Sequence, residues 1–232
     1  MNGIAIAILL LTFVFLLVIK CPITFSMVIS TSLAMLYLDI PVMTMVQQMC
    51  KQLNSFTLLA IPFFILAGNI MNKGGIAVRL INLAKLITGR APGALAQTNI
   101  LANMLFGSIS GSGTAAASAM GSIIGPIERE EGYDPNFSAA VNIATAPTGL
   151  LIPPSNVMIT YSLVSGGTSV AALFMAGYIP GFLWGLACML VVYIIAKKNG
   201  YRAKSVFTAR EAGKIILQAL PCLLLIIIVI GG

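Results

Sequence analysis

The sequence predicts an all-α polytopic membrane protein whose centre is a re-entrant helical hairpin followed by a broken transmembrane helix. Three observations carry this. Of the 232 residues, 59% are hydrophobic and only 8% are charged, where a soluble domain carries about 25% charged residues. The 22 glycines and 11 prolines are too many for inert spans, although membrane helices tolerate both. Two long uncharged stretches, 91–127 and 135–196, are each interrupted by Gly, Ser or Pro.

The elements follow in order. Residues 3–19 form the first span. They are too long for the apolar part of a signal peptide and lack a basic leader or an Ala-x-Ala site. Lys20 closes this span. Residues 22–38 form the second, closed by Asp39 and Pro41. Residues 42–53 are too short and polar to cross and read as an interfacial helix. Residues 56–71 form a third span, kinked by Pro62. Within 74–90, Ile76, Leu80, Leu83 and Leu86 or Ile87 fall on one face, with Arg79 and Lys85 off it. This pattern predicts an amphipathic helix on the membrane surface.

The hairpin rests on length and charge. Ala91 to Phe106 is 16 residues, about 24 Å of helix, short of a hydrocarbon core about 30 Å thick. The chain then reads GSISGSGT over 107–114, a poor helix former tolerated in a membrane only where protein or a wet cavity surrounds it. A hairpin with a Gly/Ser tip satisfies this, with a second arm over 114–127 ended by Pro126. Basic residues mark the cytoplasmic side. With the N-terminus periplasmic and 91–127 re-entrant, 12 of the 13 Lys and Arg residues lie inside, Lys51 excepted. A single crossing would move Lys197, Lys198, Arg202, Lys204, Arg210 and Lys214 outside. Loops 20–22, 72–91, 128–134 and 197–214 are therefore expected to be cytoplasmic, and 39–54 and 166–169 periplasmic.

Residues 135–165 number 31, about 46 Å if continuous, too long for one straight crossing. Pro147, Pro153 and Pro154, within TAPTGLLIPPSN (145–156), predict two half-helices meeting an unwound stretch beside the hairpin tip. The span over 170–196 carries Gly177, Gly181 and Gly185, a stripe for close helix packing or for contact with another subunit. The last apolar run begins near Ile215 and continues to the end, which reads as the front part of a longer chain.

Several chemistries are excluded. The absence of His removes the commonest general base and most catalytic zinc sites. The cysteines at 21, 50, 188 and 222 have no metal-ligand spacing and read as apolar packing residues. The net charge of +7 lies in loops between spans, not on a basic soluble face, so nucleic acid is not a partner. GSISGSGT lacks the Lys of a phosphate loop. GSISG puts Ile109 where a nucleophile elbow needs Ser. No enzyme is expected and no cofactor. Gly/Ser/Thr loops at mid-membrane instead offer carbonyls and hydroxyls to Na⁺ and half-helix N-termini to anions.

The segment 63–156, and above all GSISGSGTA and APTGLLIPPSN, resembles the large membrane (M) subunit of tripartite ATP-independent periplasmic (TRAP) transporters, along the whole chain. The resemblance implies the first half of an inverted-repeat, elevator-type transporter of the bacterial inner membrane. The carrier would take up a small organic acid anion, such as a C4-dicarboxylate or a sialic acid, by Na⁺ symport. A periplasmic substrate-binding protein (P) would deliver the anion, and a small membrane subunit (Q) would complete the complex. The implied domains are 1–90, scaffold spans and an amphipathic arm; 91–165, the transport-domain hairpin and broken helix; and 166–232, further spans before the second repeat. The implied sodium-site residues are Ser108, Ser110, Gly111, Ser112 and Gly113 at the tip, with Pro147, Thr148, Gly149, Ile152 and Pro153 at the break. Thr114, Ser155 and Asn156 would face the substrate carboxylate. A stand-alone ion-coupled anion carrier and a channel are the rival readings.

Overall fold

The computed structural model describes residues 3–54, 56–89, 91–201 and 209–231, and all the regular structure in them is helical. The chain divides into two compact units, Met1–Phe56 and Thr57–Gly232.

In the first unit, α1 (Gly3–Val18) packs against α2 (Ile23–Tyr37), and α3 (Met43–Leu53) follows. On α2, Ser26, Ser30 and Ala34 are the buried positions. Spaced by four, these small side chains let two backbones approach closely. The serine hydroxyls are satisfied within their own helix, Ser26 on Pro22 and Ser30 on Met27. Lys20 ends α1 in the left-handed region, at φ 65°, with the N–H of Cys21 turned back onto the Leu16 carbonyl at 3.0 Å. Leu11, Phe15, Ile23 and Phe25 remain more than half exposed, a surface suited to lipid. Cys50 is exposed as well, which corrects its reading as a packing residue; Cys222 is buried as expected.

The second unit contains α4 (Phe56–Lys73), α5 (Ile76–Thr88), α6 (Ala94–Ser110), α7 (Gly113–Glu130), α8 (Pro135–Thr145), α9 (Thr148–Leu151), α10 (Asn156–Val164), α11 (Val170–Asn199) and α12 (Ala209–Gly231). Helix α6 is its axis. Only Leu101 and Leu105 along it are not fully buried, because α5, α7, α8, α9 and α11 all pack around it. The apolar face of α5 is where the spacing places it, with Leu80 and Leu83 buried. That face is covered by protein, however: Leu80, Ile81 and Ala84 join Phe106, Met120 and Cys222 in one core. Hydrophobic periodicity identifies a face that must be covered but not what covers it.

Two boundaries differ from expectation. Pro126 does not end the second hairpin arm, since α7 continues to Glu130. A proline deletes one helical bond, and the last turn is held by the Glu131 N–H on the Ile127 carbonyl and the Tyr133 N–H on the Glu128 carbonyl. The last helix starts at Ala209, six residues before the apolar run.

Helix α11, with 30 residues, is the one described helix long and apolar enough to cross a membrane alone. Its glycine stripe packs within the chain. A Cβ on Gly177 would come within 2.5 Å of the Leu151 carbonyl oxygen, on Gly181 within 2.6 Å of Ile152, and on Gly185 within 2.3 Å of the Met104 sulfur. The stripe therefore lets α11 lie against the broken segment and α6. At the other end of α11, the N–H of Gly93 donates to the Tyr201 carbonyl at 3.0 Å, and Tyr201 stacks on Tyr133 with centroids 4.3 Å apart. Its hydroxyl accepts from the Asp134 N–H. Both ends of the hairpin thus meet the same residue.

Candidate functional site: hairpin tip and helix break

The hairpin tip is narrower than the composition suggests. Helix α6 runs through Ser108 and Ser110, and α7 begins at Gly113, leaving Gly111 and Ser112 as the turn. Gly111 takes φ 63°, a conformation that glycine adopts without steric cost, and its N–H closes onto the Gly107 carbonyl at 2.8 Å. Ser112 is the N-cap of α7, its Oγ accepting from the Ala115 N–H at 3.3 Å. Ser108 and Ser110 are therefore helical residues facing inward, not loop residues.

The break has two steps. Helix α8 stops at Thr145, a single turn (α9) follows, and Ile152 then turns extended at φ −80°, ψ 120°. Ser155 caps α10, its Oγ accepting from the Met158 N–H. The N–H groups that would bond the carbonyls of Gly149 and Leu150 belong by position to Pro153 and Pro154, which have none. Thr148, Gly149, Ile152, Pro153 and Ser155 are all buried.

The structure brings tip and break into backbone contact. The Asn156 N–H donates to the Gly111 carbonyl at 3.2 Å. A Cβ on Gly107 would stand 2.2 Å from the Gly149 Cα, and one on Gly113 would stand 2.6 Å from the Ala146 carbonyl oxygen. Gly107, Gly113 and Gly149 are thus glycines because two backbones occupy the space of their side chains. Pro147 lies at the α8–α9 junction, half-buried.

The polar atoms here are neutral oxygens. The Ser110 Oγ touches only the Ser112 backbone, at 3.4 Å. The Thr148 hydroxyl donates to the Thr145 carbonyl at 2.7 Å, and that of Ser108 to Leu105 at 2.8 Å, leaving lone pairs on both. The Asn156 Oδ1 is buried without a hydrogen-bond partner. Thr114 is exposed, its hydroxyl 3.1 Å from that of Ser112. A small cavity of about 190 Å³ beside the tip is lined by Ser110, Ser112, Ser118 and Asn69 together with the apolar Ile65, Phe106 and Ala115. Carbonyl, hydroxyl and amide oxygens without a carboxylate suit a singly charged hard cation such as Na⁺ better than a divalent one.

Sequence reading missed a buried polar chain behind the tip. The Asn103 Nδ2 reaches Asn99 Oδ1 at 2.8 Å, Asn142 Oδ1 at 3.0 Å and Thr145 Oγ1 at 3.2 Å. Asn142 in turn donates to the Ala117 carbonyl, joining α8 to α7. Two asparagines four apart in an uncharged run (Asn99 and Asn103) were the available signal. Such residues share a helix face and are expensive in hydrocarbon unless paired.

A family model described as "Tripartite ATP-independent periplasmic transporter, DctM component" matches residues 10–232. The chain belongs to this DctM family. The uncharacterised protein YgiK of Salmonella typhimurium is 52% identical over 95% of this chain and 52% of its own length. The sialic acid TRAP transporter large permease protein SiaM of Vibrio cholerae is 41% identical over 80% of this chain and 43% of its own. The C4-dicarboxylate TRAP transporter large permease protein DctM of Pseudomonas aeruginosa is 43% identical, over 76% and 41% respectively. The chain thus spans about half the length of these DctM-family relatives or somewhat less.

Proposed function

We propose that the chain is the N-terminal part, including the first inverted repeat, of the large membrane subunit of an Na⁺-coupled, elevator-type carrier of small organic acid anions in the bacterial inner membrane. A periplasmic binding protein delivers the anion, and a small membrane subunit accompanies the carrier. The observation that carries this reading is the direct backbone apposition of hairpin tip and helix break, Gly107 and Gly111 against Gly149, Pro154 and Asn156. Two interrupted membrane segments converging in this way form the usual geometry of a mid-membrane binding site. The neutral oxygens of Ser108, Ser110, Ser112, Thr148, Gly149 and Ile152 hold the cation, and Gly111, Gly113, Pro147 and Pro153 shape the backbone around them. Thr114, Ser155 and Asn156, at the N-termini of α7 and α10, face the anion, where helix dipoles favour negative charge. Inward movement of Na⁺ down its gradient would drive uptake, and the bound ion would place a positive charge beside the carboxylate. The names of the sialic acid and C4-dicarboxylate relatives support a carboxylate substrate.

The full-length protein, reconstituted with both partners, should take up a delivered organic acid saturably and only with an inward Na⁺ gradient. Equal uptake without the binding protein would favour the stand-alone carrier, and non-saturating uptake a channel. The meeting of Gly93 and Tyr133 at Tyr201 supports the re-entrant topology. Glu130→Cys and Lys197→Cys, both exposed positions, should therefore be labelled from the same, cytoplasmic side. Labelling from opposite faces would defeat the re-entrant hairpin.

A further inference from the structure

Glu128 is fully buried in the last turn of α7, past the apolar part of the arm. Neither carboxylate oxygen makes a well-aligned hydrogen bond, nor does the Ser138 Oγ beside it, although Ser138 and Asn99 lie near enough to favour the ionised form. Both residues line a cleft of about 550 Å³ between α7 and α8, with Asn99 and Asn142 deeper in and Arg129 and Glu130 also on its lining. Among the described residues, the charged and titratable groups around Glu128 are few. Arg129 and Glu130 on its own helix are exposed, Glu131 is half-buried and Asp134 exposed in the next turn, and Tyr133 is buried against Tyr201. Helices α6 and α8 contribute no ionisable side chain, and α5, which also packs on α7, carries Arg79 and Lys85. Among the described residues no cation pairs with this carboxylate, and an ionised carboxylate buried without one is costly. Burial therefore favours the neutral, protonated form of the group.

We propose that Glu128, faced by Ser138 and Asn99, is a proton-binding site at the base of the hairpin, separate from the cation site at its tip. The proton enters through the cleft from the side where Arg129 and Glu130 lie. Asn99 also begins a buried polar cluster through Asn103 to the Thr145 hydroxyl, and the Thr145 carbonyl accepts from the Thr148 hydroxyl, so the base lies next to a polar cluster that reaches the helix break. Burial raises the carboxyl to about 7, with Ser138 and Asn99 partly opposing the rise. The folded protein therefore holds this proton more tightly than the unfolded chain. Stability from this group is complete below about pH 4.5 and is lost as pH rises toward about 7.

Infrared difference titration of the full-length protein in lipid tests the site without reference to transport. Wild type, Glu128→Gln and Ser138→Ala would be titrated in choline and in Na⁺ buffers. The expected result is a protonated-carboxyl band that halves near pH 7, is missing in Glu128→Gln and is indifferent to Na⁺. In Ser138→Ala, losing a group that favours the ionised form, the midpoint should rise. A band absent throughout, or one retained in Glu128→Gln, would overturn the inference, as would an unmoved midpoint in Ser138→Ala. Loss of the band on replacing choline by Na⁺ at fixed pH would assign the site to a metal cation instead and overturn the proton.

Discussion

Gly107→Ala is expected to destabilise the full-length protein by about 3 kcal/mol, the upper end of overpacking costs. The new methyl would stand 2.2 Å from the Gly149 Cα and 3.0 Å from its nitrogen, so it meets backbone that cannot rotate away. Relief requires parting the hairpin from the broken helix, which would also pull apart the Asn156–Gly111 hydrogen bond. The reciprocal change, Gly149→Ala, meets the Gly107 Cα at 2.9 Å and should cost somewhat less. Gly125→Ala, on the same hairpin with nothing within 4 Å of the new methyl, should be neutral or stabilising by up to about 1 kcal/mol. Thermal or denaturant unfolding of the purified protein in detergent measures all three. Equal stability of Gly107→Ala and Gly125→Ala would mean that the two backbones do not touch as described.

Ser110→Ala should weaken apparent Na⁺ affinity about 5–30-fold while leaving substrate affinity nearly unchanged. One neutral ligand to a cation is taken as worth about 1–2 kcal/mol, by analogy with a hydrogen bond to a charged group, and every 1.4 kcal/mol is tenfold. Ser110 is the informative position because its hydroxyl has only two long contacts at 3.4 Å, both to the Ser112 backbone. Its removal therefore breaks little else. Ser112→Ala should show the same loss of Na⁺ affinity together with a loss of stability of about 1 kcal/mol, since Ser112 also caps α7. Sodium-dependence curves of uptake in vesicles separate the two effects. A Ser110→Ala protein with wild-type sodium dependence removes this hydroxyl from the cation site.

The all-helical class, helices over most of 3–19 and 22–38, one helix over 170–196 of spanning length, and the interruptions at 107–114 and 147–154 were legible in the sequence by itself. Each depends on a local or compositional cause: too few charges to face water, apolar runs of spanning length, and prolines that delete specific backbone donors. The tertiary structure decided what faces what. Gly107 and Gly113 read as part of a Gly/Ser tip and Gly149 as part of an unwound stretch, yet they are close-contact points between two helical segments; nothing in a sequence distinguishes a glycine chosen for φ from one chosen for lack of a Cβ. Ser108 and Ser110 look like tip residues but extend α6, because the five surrounding helices stabilise a stretch that would not hold as an isolated helix. The apolar face of α5 was visible, and only packing assigned it to α6 and α12. The stripe at Gly177, Gly181 and Gly185 was equally visible, and only the positions of Leu151, Ile152 and Met104 turned it inward. Glu128 carries no sequence signature at all. One acid among the charged residues 128–131 differs from its neighbours only because the turn of α7 directs it between α6 and α8, where removal from water rather than residue type determines its chemistry.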